Sequence, residues 1–198
     1  MANPPIRPAL RERYDRRQQR VVDEAARVFA ERGYDRTTMQ ELGDALGIAA
    51  GGLYHYVGSK EQLLIRICDQ LMEPLLEQAR ALVAAGGAPA DELRDLVELW
   101  VAHVVEHRDH MLVFQQERHV VERGAGWAAV REGRKAFEEL VDGVLADVQD
   151  DGRARFDDRR VALSALLGMV NHTAQWFRPD GRLTPAEVAA GYAALLVA

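Results

Sequence analysis

The chain has 198 residues, 48% of them apolar, and carries a net charge of −6 at neutral pH. This length suffices for one domain with an ordinary hydrophobic core or for two small domains. A single cysteine argues against a disulfide-rich scaffold, and no apolar run approaches the roughly 20 residues of a membrane span. We find no signal-peptide pattern and expect a cytoplasmic protein without a membrane partner. Helix formers dominate and strand-like alternation is nearly absent, which predicts an all-α fold.

The acidic charge is unevenly distributed along the chain. Residues 1–60 contain ten Lys and Arg against eight Asp and Glu, so the acidic excess belongs to residues 61–198. Residues 1–20 contain six Arg against two acidic residues, which favours contact with phosphates or a minor groove. The three prolines there also suit a solvated tail. We interpret residues 1–14 as a flexible basic arm, with or without contact to nucleic acid.

A helix, a turn and a second helix are predicted between residues 37 and 60. Thr38 followed by Glu41 is a capping box that starts the first helix, and Gly47 can end it in the left-handed conformation. Residues 49–56 are too few and too small to form a stable helix alone, so they must be held by neighbours. Such a slim helix suits entry into a groove of DNA.

An earlier helix is expected to complete this N-terminal unit. It is predicted to begin near Asp15 and to end at Gly33. Its apolar stripe at helical spacing consists of Val22, Ala25, Ala26 and Phe29. Together the three helices predict a helix-turn-helix domain over residues 15–58, which we call the reading head.

Small, hydrogen-bonding or charged residues of the reading head are the candidate contacts to DNA. Small residues allow close approach of the backbone, while hydroxyl, imidazole and ammonium groups can bond to base edges and phosphates. The candidate DNA-binding residues are Thr37, Thr38, Ala49, Ala50, Gly51, Tyr54, His55, Tyr56 and Lys60.

Several short motifs of the reading head form a recognisable set. They are Phe29-Ala-Glu-Arg-Gly-Tyr, Thr37-Thr, Gly47-Ile, and Leu53-Tyr54 followed by Ser59-Lys60-Glu61. With these motifs the reading head resembles the DNA-binding domain of the TetR family of transcriptional regulators. The chain departs from the family pattern at Tyr56 and Val57, where the family most often has His-Phe, and at Ala49, where it often has serine. The resemblance implies a dimeric repressor that leaves operator DNA when a small ligand binds a C-terminal helical domain.

Residues 59–198 are predicted to form this helical ligand-binding and dimerisation domain, which we call the body. Its first helix should run from Lys60 to Ala85, and Pro74 within it predicts a kink or break after Met72. Thr184, Pro185 and Glu187 are start signals for the last helix. The remaining helices are expected over residues 91–107, 111–122, 127–149, 158–176 and 185–197.

The segment from Ala162 is richer in apolar and small residues than a helix with one solvated face requires. Packing against a second copy of the chain is the simplest explanation. In the family that the chain resembles, the last two long helices form a four-helix dimer interface. The candidate interface residues are Leu163, Leu166, Leu167, Val170, Val188, Tyr192 and Leu195.

A sensing domain needs a concave, mostly apolar space with a few polar groups. The stretch from Gln175 to Gly181, followed by Leu183-Thr184, is similar to one in TetR-type regulators of fatty-acid and sterol breakdown that sense acyl-coenzyme A thioesters. That similarity implies an acyl-coenzyme A effector whose phosphate pairs with Arg178. The candidate ligand-binding residues are Trp100, His103, Phe114, Glu117, Phe137, Leu140, Val144, Met169, His172, Thr173, Trp176 and Arg178.

Two other hypotheses are left open by the residues. His103, Glu106 and His107 match the H-x-x-E-H pattern of some zinc peptidases, and His110 lies one turn beyond. A metal-dependent hydrolase using His103 and His107 is therefore one alternative, and a ligand-binding adaptor without operator recognition is the other. No nucleophile elbow, phosphate-binding glycine loop or cysteine cluster supports an enzyme, and we expect no cofactor, metal or catalytic residue.

Overall fold

The computed structural model describes residues 8–121 and 124–198, and the all-α prediction is confirmed. A short 3-10 turn at Ala125–Trp127 precedes α8, and the antiparallel bridge between Ala154 and Val197 is isolated. The helices within the described ranges are α1 (Pro8–Arg32), α2 (Met39–Leu46), α3 (Ala50–Val57), α4 (Lys60–Ala85), α5 (Pro89–Glu106), α6 (Arg108–Gln116), α7 (Arg118–Val121), α8 (Ala128–Asp150), α9 (Arg159–Trp176) and α10 (Pro185–Ala194).

The helix boundaries predicted from capping chemistry are confirmed. The Thr38 hydroxyl accepts from the Glu41 amide at 3.2 Å, and the Glu41 carboxylate accepts from the Thr38 amide at 2.8 Å. Equivalent reciprocal bonds start α4 at Ser59 and α10 at Thr184. Gly47 ends α2 with φ of 64°, in the left-handed region that glycine adopts without steric cost.

The first helix is longer than predicted, because α1 begins at Pro8 rather than near Asp15. Proline is tolerated in a first helical turn, and the ring of Tyr14 packs against the Tyr56 ring with centroids 5.3 Å apart. This tertiary contact supports helix in a stretch that composition alone assigns to a flexible arm. The assignment of residues 8–14 to that arm is therefore wrong, and residues 1–7 of the arm lie outside the described residues.

Three predicted helices of the body are also corrected. α4 is continuous through Pro74, so the expected break is wrong; side chains on both sides of it, including Leu71 and Leu75, are fully buried and hold the helix together. The helix expected over 111–122 is divided by a turn at Glu117. α10 ends at Ala194, and beyond it the Leu196 carbonyl accepts from the Arg155 amide while the Ala198 amide donates to the Arg153 carbonyl.

The body is organised around α5, which packs against α4, α8, α9 and α10. α4 also contacts α1 and α3, so it belongs to both parts of the molecule. Cys68 of α4 is fully buried in the core, and burial raises the pKa of its thiol. Of the helices in the two described ranges, none is long and apolar enough to cross a membrane.

Candidate DNA interface and effector cavity

The position of α3 depends on a close approach at Gly43 of α2. The Gly43 carbonyl accepts from the amide of Ile48 at 2.9 Å, which folds the turn back onto α2. A Cβ at Gly43 would lie only 2.6 Å from the Ile48 carbonyl oxygen. Only glycine therefore allows the two helices this separation without movement of the backbone.

α3 presents a solvent-facing surface of small and hydrogen-bonding residues. Leu53 and Val57 are fully buried and anchor the helix. Gly51, Tyr54 and His55 are exposed on the opposite side. Ala49, which precedes the helix, is exposed too, and Ala50 is half-buried. The structure thus places most of the predicted base-reading residues on one accessible helix face.

The extended α1 supports the C-terminal end of α3. Gln18 Nε2 donates to the Tyr56 carbonyl oxygen at 2.7 Å, and the Arg17 guanidinium lies 5.6 Å from the centre of the Tyr56 ring. Together with Tyr14, these residues pack the Tyr56 side chain rather than leaving it free. The sequence offered a signal for this support, because Tyr14 precedes Gln18 by four residues and shares its helix face.

Two other predicted DNA contacts are placed differently from expectation. Thr37 is buried and its hydroxyl donates to the Gly33 carbonyl at 2.8 Å, so it stabilises the loop between α1 and α2 and cannot reach DNA. Thr38 is exposed, with its hydroxyl in the capping box. The Lys60 ammonium lies 4.2 Å from the centre of the Tyr34 ring. To contact a phosphate of DNA, the Lys60 ammonium would therefore have to move away from the Tyr34 ring.

A positively charged groove lies beside the reading head. It separates α1 from the turn between α2 and α3, which contributes residues 45–48. The arginine excess is visible in the sequence, but the surface that it forms is not. The arginines that line this groove are Arg13, Arg16, Arg17 and Arg20.

A cavity of about 540 Å³ lies in the body among α4, α5, α6, α8 and α9. This volume falls in the range of about 300–1,000 Å³ typical of small-molecule sites. The Trp100 and Phe137 rings meet edge to face in its wall, with centroids 4.8 Å apart. The apolar wall comprises Met72, Leu75, Trp100, Met111, Phe114 and Phe137, and the polar lining includes Gln115, Arg118, Arg134, Glu138, Asn171 and His172.

Four of the predicted ligand-binding residues, Trp100, Phe114, Phe137 and His172, line this cavity. The other eight do not line it, for reasons that only tertiary structure reveals. His103 bonds through Nε2 to the Leu71 carbonyl at 2.8 Å, and the Thr173 hydroxyl bonds to the Tyr192 hydroxyl at 3.1 Å. Of the rest, Val144 is core, Leu140 and Met169 pack half-buried against the core, Trp176 and Arg178 are exposed, and Glu117 lies near the loop between α1 and α2.

Arg134 is a cavity residue that was not predicted from the sequence. Its Nε is buried and has no hydrogen-bond partner among the described residues, while the nearest carboxylate oxygen, Glu138 Oε1, is 3.6 Å away. A buried donor without a partner costs free energy, and more so when the group is charged. The cavity therefore offers a cationic donor that an anionic or carbonyl oxygen of a ligand could satisfy. In the sequence, Arg134 and Glu138 are indistinguishable from an ordinary surface ion pair on a helix.

The predicted dimer residues divide into buried and accessible ones. Leu166, Val170 and Val188 are buried within the protomer and leave little surface for contact with a second copy. Leu163, Leu167 and Tyr192 are half-buried, and Leu167 also lines the cavity. Large apolar side chains do remain exposed on α9 and at the residue that follows α10. They are Val161 at 66%, Leu195 at 61% and Trp176 at 41% exposure, and we call them the exposed apolar face.

The histidines of the H-x-x-E-H segment form a row across the α5–α6 junction. Ring centroids of His103 and His107 are 4.4 Å apart, those of His107 and His110 are 5.7 Å apart, and His110 Nε2 lies 3.5 Å from Asp23 Oδ1 of α1. In the part of the chain that the structure describes, their ligand atoms do not converge within 4.8 Å of one another. The histidine row links α5, α6 and α1, and it gives the hydrolase hypothesis no support.

Acid is expected to destabilise the fold through two histidines of this row. Burial is the main cause that lowers the pKa of His103 and His110, against the opposing effects of the Leu71 bond and the Asp23 carboxylate. Below the ordinary histidine pKa of about 6.5, the unfolded chain then binds more protons than the folded one, so stability should fall as pH falls. When thermal unfolding is measured between about pH 5 and 7.5, the Tm of His103→Gln should fall less with decreasing pH than the Tm of the wild type does. An unchanged decline would contradict this origin.

Comparison with known proteins identifies the family. The family model described as "Tetracyclin repressor-like, C-terminal domain" matches residues 86–198, more than half of the chain. The model described as "Bacterial regulatory proteins, tetR family" matches residues 21–67. The chain belongs to the TetR family. This TetR-family protein is a DNA-binding transcriptional regulator and not an enzyme, and regulators of this kind bind operator DNA as dimers.

Relatives of this TetR-family regulator share nearly its whole length. The HTH-type transcriptional repressor KstR2 of Rhodococcus jostii (strain RHA1) is 31% identical over 183 residues, which cover 91% of this chain and 89% of KstR2. AibR, solved in complex with isovaleryl coenzyme A and operator DNA, has a TM-score of 0.79 at 29% identity and covers 91% of this chain and 98% of AibR. PfmR from Thermus thermophilus has a TM-score of 0.79 at 30% identity, covering 89% of this chain and 96% of PfmR. These similarities support a regulator and neither the adaptor nor the hydrolase hypothesis.

Proposed function

We propose that this TetR-family regulator is a repressor released from its operator by an acyl-coenzyme A thioester bound in the body cavity. The buried Arg134 donor carries the proposal, because it lacks a partner among the described residues while most of the cavity wall beside it is apolar. An acyl chain fits the apolar wall, and a thioester or phosphate oxygen would satisfy Arg134. The isovaleryl coenzyme A bound by AibR supports this class of effector.

A groove beside the cavity offers a route for the polar part of such a ligand. Gln115 lines both spaces, and the groove continues along Arg108 and Gln175. Gln115 is held by two bonds to α9, donating to the Asn171 carbonyl at 2.7 Å and accepting from Gln175 Nε2 at 2.9 Å. We infer that the coenzyme A phosphates leave the cavity past Gln115 towards Arg108. The earlier hypothesis for Arg178, exposed just after α9, remains compatible with this route.

Two helices would connect the cavity to the reading head. α4 contributes Met72 and Leu75 to the cavity wall and begins at Lys60, next to α3. α6 lines the cavity and packs against α1. A ligand that prefers one spacing of these helices changes the separation of the two reading heads in a dimer. A differential affinity of about 1–3 kcal/mol between the two states suffices for release.

The DNA contacts that we propose follow the exposed residues of the reading head. Gly51, Tyr54 and His55 would meet base edges in the major groove, and Thr38 would meet phosphates. Ala49, Ala50, Tyr56 and Lys60 remain candidates at the edges of this surface. The arginine groove beside α1 would add salt-dependent attraction for the DNA backbone. Such a regulator would act in the cytoplasm.

Dimerisation through the exposed apolar face is expected to be abolished by Leu195→Glu. Leu195 is 61% exposed, so the substitution leaves the protomer core intact, while a two-fold interface would bury two added charges. We expect the dimer dissociation constant to rise at least ~100-fold, as measured by analytical ultracentrifugation. Leu10→Glu is the matched control, because Leu10 is an exposed leucine in the first turn of α1, outside the exposed apolar face. A Leu195→Glu protein that remains fully dimeric would place the interface elsewhere.

The test of the proposed function is operator binding by the purified chain. Fluorescence anisotropy with DNA from its own upstream intergenic region, at two salt concentrations, should show tighter binding than to random duplex. Acyl-coenzyme A esters of increasing chain length should then release the DNA, with one length most effective. Free coenzyme A and the free acid are the controls. If every ester leaves operator affinity unchanged while one of them binds the protein, the release mechanism is wrong.

A further inference from the structure

Glu117 is a buried acidic residue that the effector cavity does not use. It lies in the turn between α6 and α7, and its side chain is only 7% exposed. One carboxylate oxygen, Oε2, is buried and has no hydrogen-bond partner among residues 8–121 and 124–198. The carboxyl group does accept a bond from the Tyr34 backbone amide. A buried, incompletely bonded carboxylate is costly, so this position favours a cation.

Two further ligand-type side chains converge on Glu117. They are Asp35, in the loop between α1 and α2, and His119 of α7. One ligand atom from each of the three residues lies within 4.8 Å of the others. Asp35 and His119 are both exposed, so solvent reaches the cluster from outside while Glu117 forms its buried side.

The neighbouring lysine does not already satisfy Glu117. The Lys60 ammonium lies over the Tyr34 ring at 4.2 Å and makes no hydrogen bond to Glu117 Oε2. It contributes only a longer-range attraction to the carboxylate. A positive charge placed directly between the three side chains would therefore meet an unsatisfied acceptor.

The ligand types select the kind of cation. Two carboxylates and one imidazole form a mixed oxygen and nitrogen set, which suits Zn²⁺ and related first-row divalent ions, whereas Mg²⁺ and Ca²⁺ prefer oxygen ligands alone. Zinc bonds of about 2.0–2.2 Å place tetrahedral ligand atoms roughly 3.4 Å apart. The side chains must therefore close inward by less than about 1 Å each, which the exposed Asp35 and His119 can do by small rotations. Water would complete the coordination.

We propose that Asp35, Glu117 and His119 bind one divalent transition-metal ion of the Zn²⁺ class between the reading head and the body. The ion would tie two segments that matter for regulation. Asp35 lies three residues before the Thr38 cap of α2, and Glu117 lies two residues after Gln115 of the cavity. Metal binding would thus be a second ligand event that affects the position of the reading head, separate from thioester binding and from operator recognition.

Zinc binding to the full chain, purified without a histidine tag, tests the site. Competition with a chromophoric chelator should give one Zn²⁺ per protomer. Both His119→Ala and Asp35→Asn should weaken that binding at least tenfold, and because both side chains are exposed the fold should remain intact by circular dichroism. Co²⁺ should give visible d–d absorption in the wild type that Glu117→Gln removes.

His107→Ala is the matched control, because His107 belongs to the separate histidine row. It should retain wild-type zinc affinity. Absence of Zn²⁺ binding by the wild type would overturn the proposal, as would loss of binding in His107→Ala together with retention in His119→Ala. Since none of these measurements involves DNA or thioester, failure of the metal site and failure of the repressor mechanism are distinguishable.

Discussion

Gly43→Ala is expected to abolish specific operator binding. The added Cβ would lie 2.6 Å from the Ile48 carbonyl oxygen, which belongs to the backbone and cannot rotate away as a side chain could. Relief requires separation of α2 from α3, at a cost of about 1–3 kcal/mol for a crowded site. Because a dimer displays two displaced heads, operator affinity should fall at least ~100-fold, whereas thioester binding to the body should persist. Anisotropy and thermal unfolding would measure both effects.

Gly51→Ala, in the neighbouring helix, controls for the effect of an added methyl group on the fold. A Cβ at Gly51 meets no atom within 4 Å, and the residue is exposed inside α3. Alanine should stabilise the helix by about 0.5–1 kcal/mol, so the fold is retained. Reduced operator affinity in this variant would indicate close approach of Gly51 to DNA. Wild-type operator affinity in Gly43→Ala would contradict the role assigned to the Gly43 contact.

Arg134→Met should leave operator binding intact and weaken the response to thioester. Hydrogen bonds to charged groups contribute about 1.5–3 kcal/mol, so the thioester concentration needed for release should rise about 10- to 100-fold. Methionine fills a similar volume and removes the buried Nε that lacks a partner, so the Tm of the ligand-free protein should stay the same or rise. Anisotropy titrations of the operator complex would measure the release, and calorimetry the thioester affinity.

Arg80→Met controls for the loss of one positive charge, because Arg80 is exposed on α4 and does not line the cavity. Its thioester response should equal that of the wild type. If Arg134→Met responds normally as well, the polar part of the effector does not use the buried donor, and the cavity binds its ligand through the apolar wall alone.

Features fixed by local chemistry were predictable from the sequence. The capping boxes at Thr38 and Ser59 and the left-handed Gly47 define α2 and the start of α4 through bonds that span only three or four residues. Family-like motifs in the same stretch led to the correct family. The regular apolar spacing of the later helices gave their approximate limits, although it did not give the turn at Glu117.

Features fixed by packing between distant segments were not predictable. Periodicity shows that Leu166 and Val170 are apolar, but it does not show whether a neighbouring helix or a second copy covers them. Burial of the Arg134 Nε depends on the arrangement of five helices around the cavity. Asp35 lies more than 80 positions before Glu117 and His119, and no sequence spacing connects the residues of the proposed metal site.

Because α4 is unbroken, the choice of junction matters when domains are exchanged between such regulators. α4 packs against α1, and the side-chain amides of Gln19 and Gln70 exchange hydrogen bonds of 3.1 and 2.7 Å. The same helix then supplies the cavity wall at Met72. A chimera joined at the turn before Lys60 would therefore separate α1 from its partner surface. A functional chimera that exchanges ligand specificity between relatives should instead have its junction between Gln70 and Met72.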